Sequence, residues 1–172
     1  MKKLLTIMLT LVALTASAQG KWEKVVVEAD ELKGQEAAEV YLYAQPGIGA
    51  IVIWDFDKYQ FRLISDEHQF NIESGYSQYT GSYAGIDIMV GIYDDSGKMI
   101  DKFKLWLDLE DNSGNRHVRT RDAGGMFNPV GQKGKVKKIF KALKSGKGYV
   151  RIVTERYETS DYDLKILPLD IE

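Results

Sequence analysis

The amino-acid sequence predicts an all-β fold: an antiparallel β-sandwich or barrel-like fold with one short basic amphipathic helix near the C-terminus. Three observations support this prediction. Apolar and polar residues alternate with a period of two over most of the chain, as in strands with one face on a core. Clusters of Gly, Asn, Asp and Ser separate these runs at intervals typical of sandwiches and barrels. Only one stretch has the periodicity of a helix.

The N-terminus has the pattern of an export signal. Lys2 and Lys3 precede an apolar run over residues 4–14, and small residues follow it. We therefore expect residues 1–18 to be a cleaved signal peptide and residues 19–172 to form a single β-rich domain, in a periplasmic or secreted protein. The chain contains no cysteine, so disulfides, thiolate chemistry and a lipoprotein anchor are not expected. No later segment predicts a transmembrane helix.

The strand candidates follow in order along the chain. Five short apolar runs come first, at residues 25–27, 40–43, 51–56, 61–64 and 70–72. The run IVIWDF at 51–56 is apolar on both sides of the pleat, which indicates a central position in a sheet.

Two longer alternating runs, at 86–92 and 103–109, predict a hairpin, and a second hairpin returns through residues 116–120. Four-residue turns at Asp94–Gly97 and Asp111–Gly114 would set the register of both. The predicted pairs are Ile88 with Phe103, Ile86 with Leu105, Asp87 with Lys104, Gly85 with Trp106, Leu107 with Val118, Asp108 with His117 and Trp106 with Arg119.

This register gathers an aromatic ring, a guanidinium, a carboxylate and an imidazole on one face: Trp106, Arg119, Asp108 and His117. Such a flat array suits a sugar ring or a peptide, and Arg119 could stack on the indole of Trp106. The alternative is that a second sheet or the helix covers this face, which would make Trp106 a core residue.

The helix is predicted from an apolar stripe over residues 136–143, with Gly146 and Gly148 at its end. Its remaining circumference carries lysines: Lys137, Lys138, Lys141 and Lys144. Between Arg116 and Arg156 the chain has 12 basic and two acidic residues. These lysines are either an ordinary solvated face or a surface for an anionic glycan, a lipid headgroup or an envelope protein. Nucleic acid is not expected as a partner of an exported chain.

The tyrosine-rich segment at 73–85 contains Tyr76, Tyr79 and Tyr83 among glycines and serines. This composition is common in binding loops. A long loop that is pinned onto a sandwich would have the same composition, so the segment supports either interpretation.

Catalytic and metal signatures are weak. His68 and His117 are the only histidines, and neither forms a motif with an acid and a nucleophile. We predict no catalytic residue, metal site or cofactor. A glycan hydrolase could use paired carboxylates alone, and the candidates are Asp55, Asp57, Glu67, Asp94, Asp95, Asp108 and Asp111. Most of them lie at predicted turns, where aspartate bonds its own backbone. Calcium is conceivable at Asp108, Glu110, Asp111 and Asn112, but residues 111–115 lack the alternating ligand spacing and the distal glutamate of a calcium loop.

The segments IFKALKSGKGYVRIVTERYETSDYDLKI and VRTRDAGG carry a resemblance in layout. A short helix, a lysine-glycine turn and two strands in this order resemble the C-terminal region of two groups of exported β-sandwich proteins. These are invasion-associated locus B-like proteins and the periplasmic accessory proteins of type VI secretion. The resemblance covers Phe103 to Leu167, and the cysteines common in some of those proteins are absent here. It implies a non-catalytic, single-domain envelope protein and no particular functional residue.

Two function classes follow from the sequence. The first is an exported, non-enzymatic binding or accessory protein of the cell envelope, with an anionic or carbohydrate-bearing partner. It would use the basic helix or the face around Trp106. The alternative is an envelope glycan hydrolase that acts through paired carboxylates.

Overall fold

The computed structural model describes residues 20–28, 37–45, 47–66, 68–77, 81–110, 113–120, 132–154 and 162–170. The expected signal peptide lies outside them. The described part consists of antiparallel strands and one helix, so the predicted all-β fold is confirmed. In chain order the elements are β1 (Lys21–Val27), β2 (Ala38–Ala44), β3 (Ala50–Asp55), β4 (Gln60–Ser65), β5 (Glu73–Ser77), β6 (Gly81–Tyr93), β7 (Met99–Leu109), β8 (His117–Arg119), α1 (Gln132–Lys144), β9 (Tyr149–Thr154) and β10 (Tyr162–Ile166).

The strands form one curved sheet in the order β1-β2-β3-β4-β8-β7-β6-β9-β10, and β5 pairs with β6. Strand β6 is the longest of the described strands and organises the sheet. One of its edges pairs with β7, and the other pairs first with β5 and then with β9. Its inward residues Ile86, Ile88, Val90 and Ile92 are all buried, as their alternation predicted.

Side chains bridge the two ends of this sheet, which is not closed by backbone pairing. The Tyr43 hydroxyl on β2 donates to the Lys165 carbonyl on β10 over 2.8 Å. The Lys165 backbone N–H donates to the Gln45 side chain over 2.9 Å. The Trp22 indole N–H on β1 donates to the Pro168 carbonyl over 2.9 Å. Polar groups of β10 and of the residues after it therefore find partners, although none of the described strands pairs with this edge.

Helix α1 completes the interior. Its buried residues are Gln132, Val136, Ile139, Phe140 and Leu143, which confirms the predicted apolar stripe. The helix packs against β7 and β9. The ring of Phe140 lies 5.4 Å from the ring of Trp54 and 5.0 Å from the ring of Phe56. Gly146, which follows the end of the helix, has a φ of 70°. The Leu143 carbonyl in the last turn of the helix accepts a hydrogen bond from the Leu169 N–H over 2.9 Å.

Two sequence predictions about the middle of the chain are wrong. The run 70–72 is not a strand: Phe70 forms a single bridge, and the strand begins at Glu73. The tyrosine-rich segment is not a long loop, because β5 and the first part of β6 pair there as a hairpin. Its glycines and serines obscured the strand pattern.

The predicted register of both long hairpins is also wrong, by two residues. Ile88 lies opposite Leu105, and Asp108 lies opposite Arg119. The first turn contains Gly97 at a φ of 81°, and the strand that leads into this turn has an irregularity between Ile92 and Tyr93. The second connection is longer than predicted, because the Glu110 N–H bonds to the His117 carbonyl. A slip of two residues preserves the face of every side chain, so the predicted faces are unchanged.

We expect the Phe140→Ala variant to lose about 3–5 kcal/mol of unfolding free energy, because it removes a buried ring from the aromatic interior. Urea unfolding of the purified protein measures this loss. The neighbouring Lys141→Ala variant, at an exposed position, should stay within about 0.5 kcal/mol of the wild type. Similar unfolding midpoints for both variants would contradict the placement of α1.

Candidate functional site

Trp106 lies on the outer face of the sheet, half-buried, with its indole over Gly85 of the neighbouring strand. A Cβ at Gly85 would come within 2.8 Å of the ring, so the indole can approach the backbone only because this residue is glycine. The indole N–H donates to Asp108 over 2.9 Å. Backbone contact and hydrogen bond together fix the orientation of the ring. Trp106 is therefore not one of the buried core residues, the alternative that the sequence left open.

Tyr83 extends this aromatic surface. Its ring meets that of Trp106 edge to face, with centroids 6.0 Å apart and an interplanar angle of 76°. It also lies over Gly75, its partner on β5. Tyr83 is 38% exposed. Of the other predicted tyrosines, Tyr76 has its backbone in β5 and its side chain outside the described residues, and Tyr79 lies outside them altogether.

On the same face of the sheet, Glu110 contacts three side chains that contain nitrogen. Its carboxylate lies 3.1 Å from Arg62 Nε, 3.7 Å from Arg119 Nε and 3.9 Å from His117 Nδ1. Arg119 thus faces Asp108 across the strands and ion-pairs with Glu110, rather than being paired with Trp106 as predicted. We call this set the Trp106 face; its members are Arg62, Tyr83, Trp106, Asp108, Glu110, His117 and Arg119.

Arg62 and Glu110 were not predicted from the sequence as members of this face. Arg62 belongs to β4, which reaches this face by pairing with the distant strand β8. The alternation of residues in β4 could have indicated that Arg62 points outward, because Phe61 and Leu63 on either side of it are apolar and buried. That alternation indicates an outward Arg62 but not its neighbour across the sheet.

His117 is neutral at neutral pH. Burial lowers its pKa, and the nearby charges of Arg62 and Arg116 lower it further, whereas Glu110 opposes the shift. A neutral imidazole can both donate and accept a hydrogen bond. On this face it is a group suited to hydroxyls rather than a fixed positive charge.

The helix lysines lie apart from the Trp106 face, and three of the four contact their own protein. Lys138 bonds to Asp101 over 2.7 Å, which lowers the pKa of that carboxyl. Lys137 lies 5.3 Å from the ring centroid of Tyr59, and Lys144 lies 4.9 Å from that of Phe56. Lys141 is exposed. Such side chains cover apolar surface with their stems while the ammonium groups stay in water.

The carboxylates that could support hydrolysis are mostly engaged by donors. Asp55 accepts from the backbone N–H of Asp57 and Lys58. Asp94 accepts from Ser96 and Lys98, and its pKa is lowered as a result. These are the turn roles that the sequence predicted. Glu67, Asp111 and Asn112 lie outside the described residues.

Within the described ranges, no three His, Asp or Glu side chains are placed to hold a metal ion. In the same part of the chain, no helix is both long and apolar enough to span a membrane.

Comparison of the chain with protein-family models, with curated proteins and with solved structures finds no match. The resemblance to locus B-like proteins and to type VI accessory proteins therefore stays a prediction from the sequence.

We expect stability to fall as the pH drops below about 6.5, the ordinary pKa of histidine, because the folded protein holds His117 at a lower pKa and the unfolded chain takes up the proton first. The loss should level off once the pH is below the folded pKa, where both states are protonated. Urea midpoints between pH 7.5 and 5 measure it. The His117→Gln variant should show a shallower pH dependence than the wild type, while His68→Gln should not. Parallel curves for the wild type and His117→Gln would contradict this account.

Proposed function

We propose that the protein is an exported, non-enzymatic binding protein of the cell envelope whose Trp106 face binds a carbohydrate. The observation that carries this proposal is the half-buried indole of Trp106, which lies against the Gly85 backbone and is oriented by Asp108. The N-terminal export pattern supports the location.

A sugar ring matches the chemistry of this face. The C–H groups of a pyranose are weakly positive and pack against the negative face of an aromatic ring. Its hydroxyls need donors and acceptors on the same face of the sheet. Arg62 and Arg119 supply donors, Asp108 and Glu110 supply acceptors, and His117 can supply either. The ion pairs hold the charged groups in place before a ligand arrives, which reduces the entropy lost on binding.

The balance of charge favours a neutral sugar over an anion. The two guanidinium groups, Arg62 and Arg119, are matched in number by the carboxylates of Glu110, which lies within 4 Å of both, and of Asp108, the cross-strand partner of Arg119. An anion would have to compete with the Glu110 carboxylate. Hydroxyl groups can instead bond to the outer lone pairs and N–H groups that the ion pairs leave open.

Hydrolysis is less well supported than binding. A glycosidase needs one protonated carboxyl group and a second, ionised one on either side of the glycosidic bond. On this face the Glu110 carboxylate is engaged by Arg62 and Arg119, and Asp108 accepts a hydrogen bond from the indole N–H. Both carboxylates are therefore held by groups of the protein itself, which supports binding over hydrolysis.

The exposed side of α1 supports a second candidate function, the binding of an anionic partner. The helix contains no acidic residue, and Lys133, Lys137 and Lys141 are all exposed. Such a surface attracts polyanions through its field, without a shaped site.

We expect the Trp106→Ala variant to lose carbohydrate binding by about tenfold or more, or ~1.4 kcal/mol, because the stacking surface is removed. Affinity gel electrophoresis with soluble β-glucan, xylan, galactomannan and dextran measures the binding. The Trp106→Phe variant should keep part of it, and Lys141→Ala should bind as the wild type does. Equal mobility of Trp106→Ala and the wild type in every gel would remove the basis of the proposal.

For the helix surface, we expect the wild type to be retained on heparin at low ionic strength and to elute as salt screens the lysines. Reversal of Lys137, Lys138, Lys141 and Lys144 to Glu should abolish retention, whereas their replacement by Arg should preserve it. Retention of the Glu variant would show that these lysines do not form the anion-binding surface.

A further inference from the structure

A second aromatic platform lies on the same outer face, toward the other end of β6. Tyr93 and Tyr149 are cross-strand partners, and their rings stack almost in parallel, 4.5 Å apart with an interplanar angle of 7°. The Tyr93 ring also lies over Gly91, where a Cβ would approach it within 2.8 Å. As with Trp106 and Gly85, a ring lies against a backbone that has no side chain.

The chain geometry next to Tyr149 holds this stack in place. Gly148 has a φ of 66°, and a Cβ there would lie 2.0 Å from the Tyr93 carbonyl oxygen. Only glycine fits both requirements. The Gly148 N–H also donates to Asp95 in the β6–β7 turn over 2.6 Å. The start of β9, and with it Tyr149, is therefore fixed against the end of β6.

Charged groups flank the stacked rings, and an ion pair is among them, as on the Trp106 face. Arg151 and Asp163 form two hydrogen bonds of 2.7 and 2.5 Å. The Lys165 ammonium lies 4.4 Å from the ring centroid of Tyr149. We call Tyr93, Tyr149, Arg151, Asp163 and Lys165 the tyrosine platform.

Strand β6 connects the two surfaces without interruption in the described structure. Gly85 and Gly91, which underlie the two sets of rings, are six residues apart on one face, or about 20 Å along an extended strand. The outward residues between them are Asp87, ion-paired with Lys104 at 3.7 Å, and the half-buried Met89. The intervening surface thus presents a polar pair and a short apolar patch, with no further ring.

We propose that the tyrosine platform is a second subsite and that the ligand is an extended, uncharged polysaccharide chain long enough to contact both surfaces. This inference rests on the proposed function of the Trp106 face. A single sugar or a disaccharide is much shorter than the spacing between the rings, so only a chain of several units gains from both. The repetition of one arrangement on one strand, a ring over a bare backbone beside a paired guanidinium and carboxylate, points to a ligand that itself repeats.

The experiment compares short and long ligands. Isothermal titration uses purified oligosaccharides of two to ten units, prepared from the polysaccharide that retards the wild type most. The wild-type affinity should rise with length until both surfaces are occupied. Tyr149→Ala should weaken binding of the longest oligosaccharide by roughly threefold to tenfold and leave the shortest binding oligosaccharide unaffected. Tyr149→Phe keeps the ring and should match the wild type at every length.

The possible results separate the two proposals. If Trp106→Ala loses binding while Tyr149→Ala binds the longest chain as tightly as the wild type, the second subsite is wrong and the proposed function stands. If Trp106→Ala binds normally, or no polysaccharide retards the wild type, both are wrong. Unchanged binding of the shortest oligosaccharide by Tyr149→Ala also shows that the variant is folded.

Discussion

The interior of this protein depends on contacts that backbone pairing cannot supply, because the sheet curls without closing. An open curved sheet leaves one side of its core without a wall, and here α1 provides that wall. Phe140 inserts between Trp54, Phe56 and Tyr59, while the hydroxyl of Tyr43 and the indole of Trp22 bridge the sheet ends. These side chains replace the inter-strand hydrogen bonds that close a barrel.

The position of α1 also determines how aromatic rings pack on the outer faces of the sheet. Because the helix occupies the opening of the sheet, no element of the described part of the chain forms a second layer over the outer faces of β6, β7 and β9. Rings on those faces must find packing within the sheet itself, and glycines on the facing backbone provide it. Trp106 on Gly85, Tyr83 on Gly75 and Tyr93 on Gly91 are three cases. Each ring is partly covered from below, which orders it without placing it in the core.

Much of this architecture could be predicted from the sequence, because the local spacing of apolar residues indicates which side chains face the core and which face outward. The inward face of β6 and the buried stripe of α1 are both readable from spacing. The register of the two hairpins could not be predicted in this way. Both pairings are shifted by two residues because of a positive φ at Gly97, an irregularity near Tyr93 and the length of the second connection. Turn geometry of this kind depends on tertiary contacts more than on residue type.

Contacts between residues that are far apart in the chain were the hardest to predict from the sequence. Arg62 reaches Glu110 only because β4 pairs with β8, and Tyr149 reaches Tyr93 only because β9 follows α1 back to β6. Neither pairing can be predicted from the local pattern of apolar and polar residues. Trp106, Asp108, His117 and Arg119 were predicted together because they lie on one hairpin. Glu110, at the end of the same hairpin, and Arg62, on a distant strand, were not predicted as part of this face.

The two candidate surfaces differ in how their charges are held, and this difference favours the sheet over the helix. The lysines of α1 extend along neighbouring rings or toward a single carboxylate, and each loses side-chain entropy if a ligand fixes it further. On the sheet, Arg62, Arg119 and Glu110 already restrain one another, as do Arg151 and Asp163. A ligand therefore meets groups whose positions are already set. Exposed ion pairs add little to stability, so the arrangement of several such pairs beside ordered rings supports the proposal that these rings bind a ligand.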